Sequence, residues 1–226
     1  MMKRLSGQLV VLVLIAVVGY VGYRYYLKER HEIDILNKIV ARLEADSRVA
    51  EVLVTGVNLN EDDGKTYTTI KFLEYDSQGN PLDPKYFTFS GNIIQFQSLV
   101  IRFDDIHVRR GDRLKGKSAF IFWKVFMLDG KNTQEYAINE TDRIPDGYKL
   151  VEENDPFESA LWHKFWEYAL DPSKAKQNGI KNAQIEAPGT MFVPGNLYII
   201  RIEHDGGLRI DISPLSPILR GERIIT

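Results

Sequence analysis

The 226-residue chain contains no cysteine, which removes disulfide staples, thiolate metal sites and cysteine nucleophiles together. Histidine is nearly as scarce: His31, His107, His163 and His204 occur, and none stands at metal-ligand spacing from another. The sequence has no Gly-x-Ser-x-Gly elbow, phosphate-binding loop or dinucleotide fingerprint. An excess of one charge is missing too. The 29 basic and 31 acidic residues leave a formal net charge of −2, so any attraction to nucleic acid or an anionic surface must come from a local patch. No cofactor, metal or nucleic-acid partner is expected from this inventory.

Hydrophobic residues make up 44% and charged residues 27%, a balance that folds and is too apolar for a disordered chain. The longest apolar feature runs uncharged from Leu5 to Tyr23, with a continuously aliphatic centre from Leu9 to Val18. At about 1.5 Å per residue such a helix reaches roughly 28 Å, close to the ~30 Å hydrocarbon core of a bilayer. Lys3 and Arg4 precede it, and Tyr20, Tyr23, Tyr25 and Tyr26 gather with Arg24 at its far end, as at a membrane interface. A cleaved signal peptide shares these features, but small residues paired before a scissile bond are missing, so residues 1–24 read as an uncleaved signal-anchor in contact with the lipid bilayer. Arg24, Lys28 and Arg30 outnumber Lys3 and Arg4, yet long downstream domains translocate largely regardless of charge. The expected topology is a cytoplasmic N-terminus and an extracytoplasmic domain.

Residues 25–46 read as a helical stalk, with Ile33, Leu36, Val40 and Leu43 spaced three and four apart. This stripe offers a surface for a protein partner or for self-association, or for packing on the chain's own domain. From residue 47 to 226 the period changes to two. Val49–Leu59 and Thr66–Tyr75 read as a hairpin. Tyr86–Phe89 and Ile93–Phe103 flank the compact turn signal Ser90-Gly-Asn92. Ser118–Leu128 and Thr133–Ile138 flank Asp129-Gly130, and Leu197–Glu203 and Leu208–Ser213 flank His204–Gly207. The pattern predicts a mainly β domain, an antiparallel sandwich or barrel-like fold, with Lys174–Asn182 as a polar loop.

One helix is expected inside the β pattern, over residues 156–170. Asp155 can cap it, Pro156 suits its first position and Asp171-Pro172 ends it. Its apolar face is wide and rich in aromatic residues, including Phe157, Phe165, Trp162 and Trp166. Such a face either packs against a sheet or serves as a partner-binding surface through Trp162 and Trp166.

A second candidate contact is the basic segment Arg109, Arg110, Arg113, Lys115 and Lys117, which contains one acid, Asp112. It reads as a solvated turn or as a contact with an acidic partner or membrane surface. Asn58–Gly64 superficially resembles a calcium loop but has Asp63 and Thr69 where glycine and glutamate are required. The expectation is a membrane-anchored envelope protein whose β domain binds or scaffolds other components without catalysis. The alternative is an anchored hydrolase built on His107 or His204 with neighbouring carboxylates.

Overall fold

A computed structural model describes residues 2–42, 48–76, 78–103, 118–130, 132–150, 155–177, 180–203 and 207–219. The chain divides into two compact units, Met1–Lys38 and Ile39–Thr226. The first is built on α1, a continuous helix over Met2–Arg42. Val13, Leu14, Ile15, Val17, Val18 and Val21 of this helix are exposed. Because successive residues step about 100° around a helix, these residues together with the exposed Ala16, Tyr20 and Tyr23 surround the whole circumference. Further along, the Arg30 guanidinium lies 5.1 Å from the Tyr26 ring centroid, and Lys38 pairs with Asp34 at 2.7 Å across one turn. Among the described residues, no helix is long and apolar enough to cross a membrane. The side chains of Leu5 to Leu12, the first half of the uncharged run, lie outside the described residues, as do those of Ile33, Leu36, Val40 and Leu43 on the stalk.

The second unit is mainly β. Its strands are β1 (Arg48–Leu59), β2 (Thr66–Glu74), β3 (Lys85–Phe89), β4 (Ile93–Phe103), β5 (Ser118–Asp129), β6 (Asn132–Ala137), β7 (Ile180–Glu186), β8 (Gly189–Met191), β9 (Asn196–Ile202) and β10 (Leu208–Pro214). They form two open antiparallel sheets, one ordered β10-β9-β1-β2-β3 and the other β6-β5-β4-β7 with β8 beside β4. The open edges correct the barrel alternative. The hairpins β1–β2, β5–β6 and β9–β10 pair directly. Ser90-Gly-Asn92 does something else: it carries the chain from β3 in one sheet to β4 in the other, so it is an arch and not a hairpin. A Cβ at Gly91 would stand 2.9 Å from Met127 Sδ, so the end of the Met127 side chain would have to move.

Alternation along the strands explains the main core. One sheet contributes Ala50, Val52, Ile70, Phe72, Phe89, Tyr198 and Ile200, and the other contributes Ile94, Phe96, Phe120, Phe122 and Val125, all buried in one cluster. Phe72 joins the layers, stacked on Phe96 and edge-on to Phe122, each at 5.6 Å between centroids. Strand β5 departs from simple alternation, since Ala119 to Phe122 are all buried. Such a run belongs to a strand covered on both faces. Val100 opposite Phe120 faces the other sheet, while Leu99 opposite Ile121 is buried outside that cluster, on the opposite face.

Helix α2 (Pro156–Leu170) contacts the β4–β7 sheet, and the buried residues Trp162, Phe165, Trp166 and Ala169 form its packed side. Asp155 Oδ1 caps it, accepting from the Phe157 and Glu158 amides at 2.9 and 3.0 Å. A second helix, α3 (Pro172–Gln177), follows at once, so the single inserted helix expected from sequence is a pair. The polar stretch Lys174–Asn182 is accordingly not a loop throughout: it supplies much of α3 and the start of β7.

The β3 and β6 edges of the two sheets are joined by polar groups. Tyr136 lies across Phe87 and Phe89 and donates to the Thr88 carbonyl at 2.8 Å. The Ser90 amide donates to Gln134 Oε1 at 2.9 Å, Gln134 Nε2 donates to Ser90 Oγ at 3.0 Å, and Lys65 pairs with Asp129 at 2.8 Å. The hydrogen bond from the Lys65 ammonium holds the Asp129 carboxyl below its ordinary value of 3.8, with the coulombic attraction of the same ammonium second.

Two expected outcomes test this packing. Trp162→Ala destabilises the domain by about 3–5 kcal/mol in urea unfolding. Trp162→Phe is much milder, because the buried Trp162 Nε1 has no hydrogen-bond partner among the described residues. The second concerns acid. A carboxyl whose pKa is depressed by folding contributes stability above its unfolded value and loses it as pH falls through the folded one. Asp129→Asn therefore flattens the stability profile below about pH 4 and leaves its shape unchanged above pH 5; an unchanged acid limb removes the Lys65–Asp129 pair from the account.

Candidate functional site

The segment after β6 is built around a β-bulge. Gln97 of β4 faces Lys124 of β5 while Ser98 faces Phe122, so Trp123 is the extra residue between them. This shift keeps Phe120, Phe122, Val125 and Met127 all buried and leaves the Trp123 carbonyl free for other work. It accepts from the amides of Ile138 and Asn139, at 2.8 and 3.1 Å. Asn139 Nδ2 donates to the Phe122 carbonyl at 2.7 Å, and its Oδ1 accepts from the Asp146 amide at 3.0 Å. Tyr148 completes the attachment: its hydroxyl donates to the Phe120 carbonyl at 3.1 Å and accepts from the Phe120 amide at 3.0 Å. Residues 138–148 are thus sewn along β5.

Helix α2 closes over this segment. Trp166 Nε1 donates to the Arg143 carbonyl at 2.6 Å, its ring lies 6.3 Å from that of Trp123, and the Tyr148 and Trp162 rings meet at 4.9 Å. Trp162 and Trp166 are 0% and 1% exposed. Of the two alternatives for this face, Trp162 and Trp166 therefore take packing of helix on sheet and not an exposed partner-binding surface.

Between the segment and the helix lies an open groove of about 290 Å³ lined by Thr141, Asp142, His163, Trp166, Glu167, Leu170 and Asp171. Asp142 occupies a left-handed backbone conformation with φ 63°, a position that favours glycine, asparagine or aspartate. From there its carboxylate meets His163 Nδ1 at 3.2 Å, with both side chains well exposed. Most other groups in the groove are engaged. Thr141 Oγ1 accepts from Trp123 Nε1 at 3.3 Å, Glu167 pairs with Lys174, and Asp171 Oδ1 caps α3 by accepting from the Ser173 and Lys174 amides at 2.9 and 3.2 Å.

The groove thus sets three carboxylates around one imidazole beside Trp166 and Leu170, each carboxylate already engaged within the fold. Among the described residues, no group of three or more histidine, cysteine or acidic side chains is placed to hold a metal. An imidazole and carboxylate this exposed work in high dielectric, where their coupling is weak. Nothing in the sequence pattern brings Asp142 together with His163 and Glu167, which lie some twenty residues on. Arg109, Arg110, Arg113, Lys115 and Lys117 lie outside the described residues, as do His107 and His204.

Because the His163–Asp142 pair is a surface pair, His163→Ala should shift the unfolding free energy by no more than about 0.5 kcal/mol. Trp166→Phe, which strands the Arg143 carbonyl, should cost about 1–3 kcal/mol in the same assay. Comparison with known proteins finds no matching family model, no similar curated protein and no similar solved structure.

Proposed function

We propose that this chain is a single-pass membrane protein whose N-terminal helix anchors a β-sandwich domain that binds or scaffolds other components outside the cytoplasm. The observation that supports the anchor is the joining of the uncharged run Leu5–Tyr23 to one unbroken helix, with aliphatic side chains exposed around its circumference from Val13 to Val21. Apolar surface on every side of a helix needs an apolar environment on every side, which lipid supplies. Within the second unit, the open groove beside α2 is one surface available for contact, and the basic segment Arg109–Lys117 is the candidate contact for an anionic partner.

The full-length protein should sediment with membranes, resist extraction by high salt and alkali, and dissolve in detergent. Protease added from outside the cytoplasm should digest the domain while sparing the N-terminal tail. A soluble chain beginning after residue 19 or 22 would identify the run as a cleaved signal peptide. Protection of the domain in sealed cells, with digestion only after lysis, would reverse the orientation.

A further inference from the structure

Among the described residues β10 is the last strand of its sheet, and its outer edge has a pattern that fits one partner. The Glu203 amide donates to the Gly207 carbonyl and the Leu215 amide to the Gly195 carbonyl, each at 2.8 Å, which marks the hydrogen-bonded pairs at both ends of the β9–β10 ladder. Such pairs alternate along an antiparallel ladder. Arg209, Asp211 and Ser213 therefore turn their backbone groups toward β9, while Leu208, Ile210, Ile212 and Pro214 turn theirs outward. Among the described residues, nothing pairs with the outward amides of Leu208, Ile210 and Ile212.

We infer that this edge pairs with the same edge of a second copy of the chain, antiparallel about a two-fold axis centred on Ile210. In that register the outward groups of Ile210 meet those of Ile210, and Leu208 meets Ile212. Arg209 stands opposite Asp211 of the second copy, in the non-hydrogen-bonded positions where side chains come closest. The neighbouring registers are worse for reasons written in the strand. Centring the axis on Arg209 or on Asp211 sets like charges against each other, and centring it on Ile212 sets Ile210 against Pro214, which has no amide hydrogen.

Charge within the sheet favours the same arrangement. Arg209 sits directly across from Arg201 on β9, an unfavourable neighbour. It is compensated by Glu203 at 2.9 Å and Asp211 at 3.0 Å, and Asp211 also faces Arg201 at 3.8 Å. The second copy's Asp211 adds an acid on the open side of Arg209. On the other face of the strand, Leu208 and Ile210 already pack on the core while Ile212 is 54% exposed, and the pairing covers Ile212 with Leu208 of the second copy. The β3 edge offers no such site, because Tyr136 bonds to its Thr88 carbonyl. A strand of this length buries less than the ~1,200 Å² of a standard interface, so the dimer is weak and concentration-dependent. Attachment of two copies to one bilayer would raise their effective concentration, although the pairing itself does not rest on the anchor.

The test uses the full chain in detergent, with mass measured by sedimentation equilibrium. The parent should dimerise reversibly. Arg209→Asp and Asp211→Arg should each weaken the dimer by about tenfold or more, since each sets like charges across the axis. Mixing the two variants should restore it, because each then faces its opposite. The absence of native cysteine allows an independent check of register: Arg209→Cys mixed with Asp211→Cys should form a disulfide-linked pair well before either variant does alone. A parent chain that stays monomeric to about 100 µM, the range of weak association, would overturn the inference. So would single variants that dimerise like the parent, as association through the stalk would produce, or cross-linking with no preference for the mixture.

Discussion

The domain depends on one strand that has to be apolar on both sides. β5 lies between two cores, with Phe120 and Phe122 facing the opposite sheet and Ile121 on the other face. A strand with one wet face can tolerate polar residues at every second position, whereas this one cannot between Ala119 and Phe122. Loss of either cover would leave large apolar side chains in water, at roughly 25 cal/mol per Å² exposed. On one side the cover is the opposite sheet; on the other, helix α2 lies against the neighbouring strands β4 and β7 and meets β5 through Trp166 beside Trp123.

The bulge at Trp123 turns this constraint into a site. By adding one residue to β5 it preserves the inward phase of Val125 and Met127 after Phe122, and it leaves a carbonyl to hold the start of residues 138–148. That segment in turn carries Asp142 to His163 and the Arg143 carbonyl to Trp166. The groove beside α2 is thus a by-product of how the second core closes. At the sheet edges the two ends are treated differently. The β3 and β6 side is tied by Tyr136, Gln134 and Asp129, while β10 keeps outward backbone groups and a balanced set of charges. Exposed edges are usually blunted by charge, proline or a bulge, and on β10 proline enters only at its last residue, Pro214.

Local chemistry was the most legible part of the sequence. Asp155-Pro156 and Asp171-Pro172 mark the ends of α2 because capping and the fixed φ of proline act within a few residues. The Asp129-Gly130 turn is equally local, with Gly130 at φ 56°. Ser90-Gly-Asn92 signals a compact turn, but such residues permit a reversal without saying whether the next strand joins the same sheet, and here it joins the other one. β7 was missed because Ile180–Glu186 is polar, and its place in the sheet comes from pairing with β4 over Ser98–Phe103 and not from its own pattern. The groove was illegible for a related reason: Asp142, His163 and Glu167 meet only because a bulge and a helix on distant stretches converge. The wide aromatic face of α2 showed that something had to cover it, and the sheet that covers it is visible only in three dimensions.

The claim on which the rest stands is that β5 is held from both sides, and amide hydrogen exchange on the full-length protein measures this directly. The amides of Ala119 to Phe122 should exchange only through global unfolding, with the same opening free energy as those of β4, while β6 exchanges through smaller local openings. If β5 exchanges as fast as β6 under conditions where β1 and β2 remain protected, the second core does not hold, and helix α2 with its groove is not an integral part of the fold.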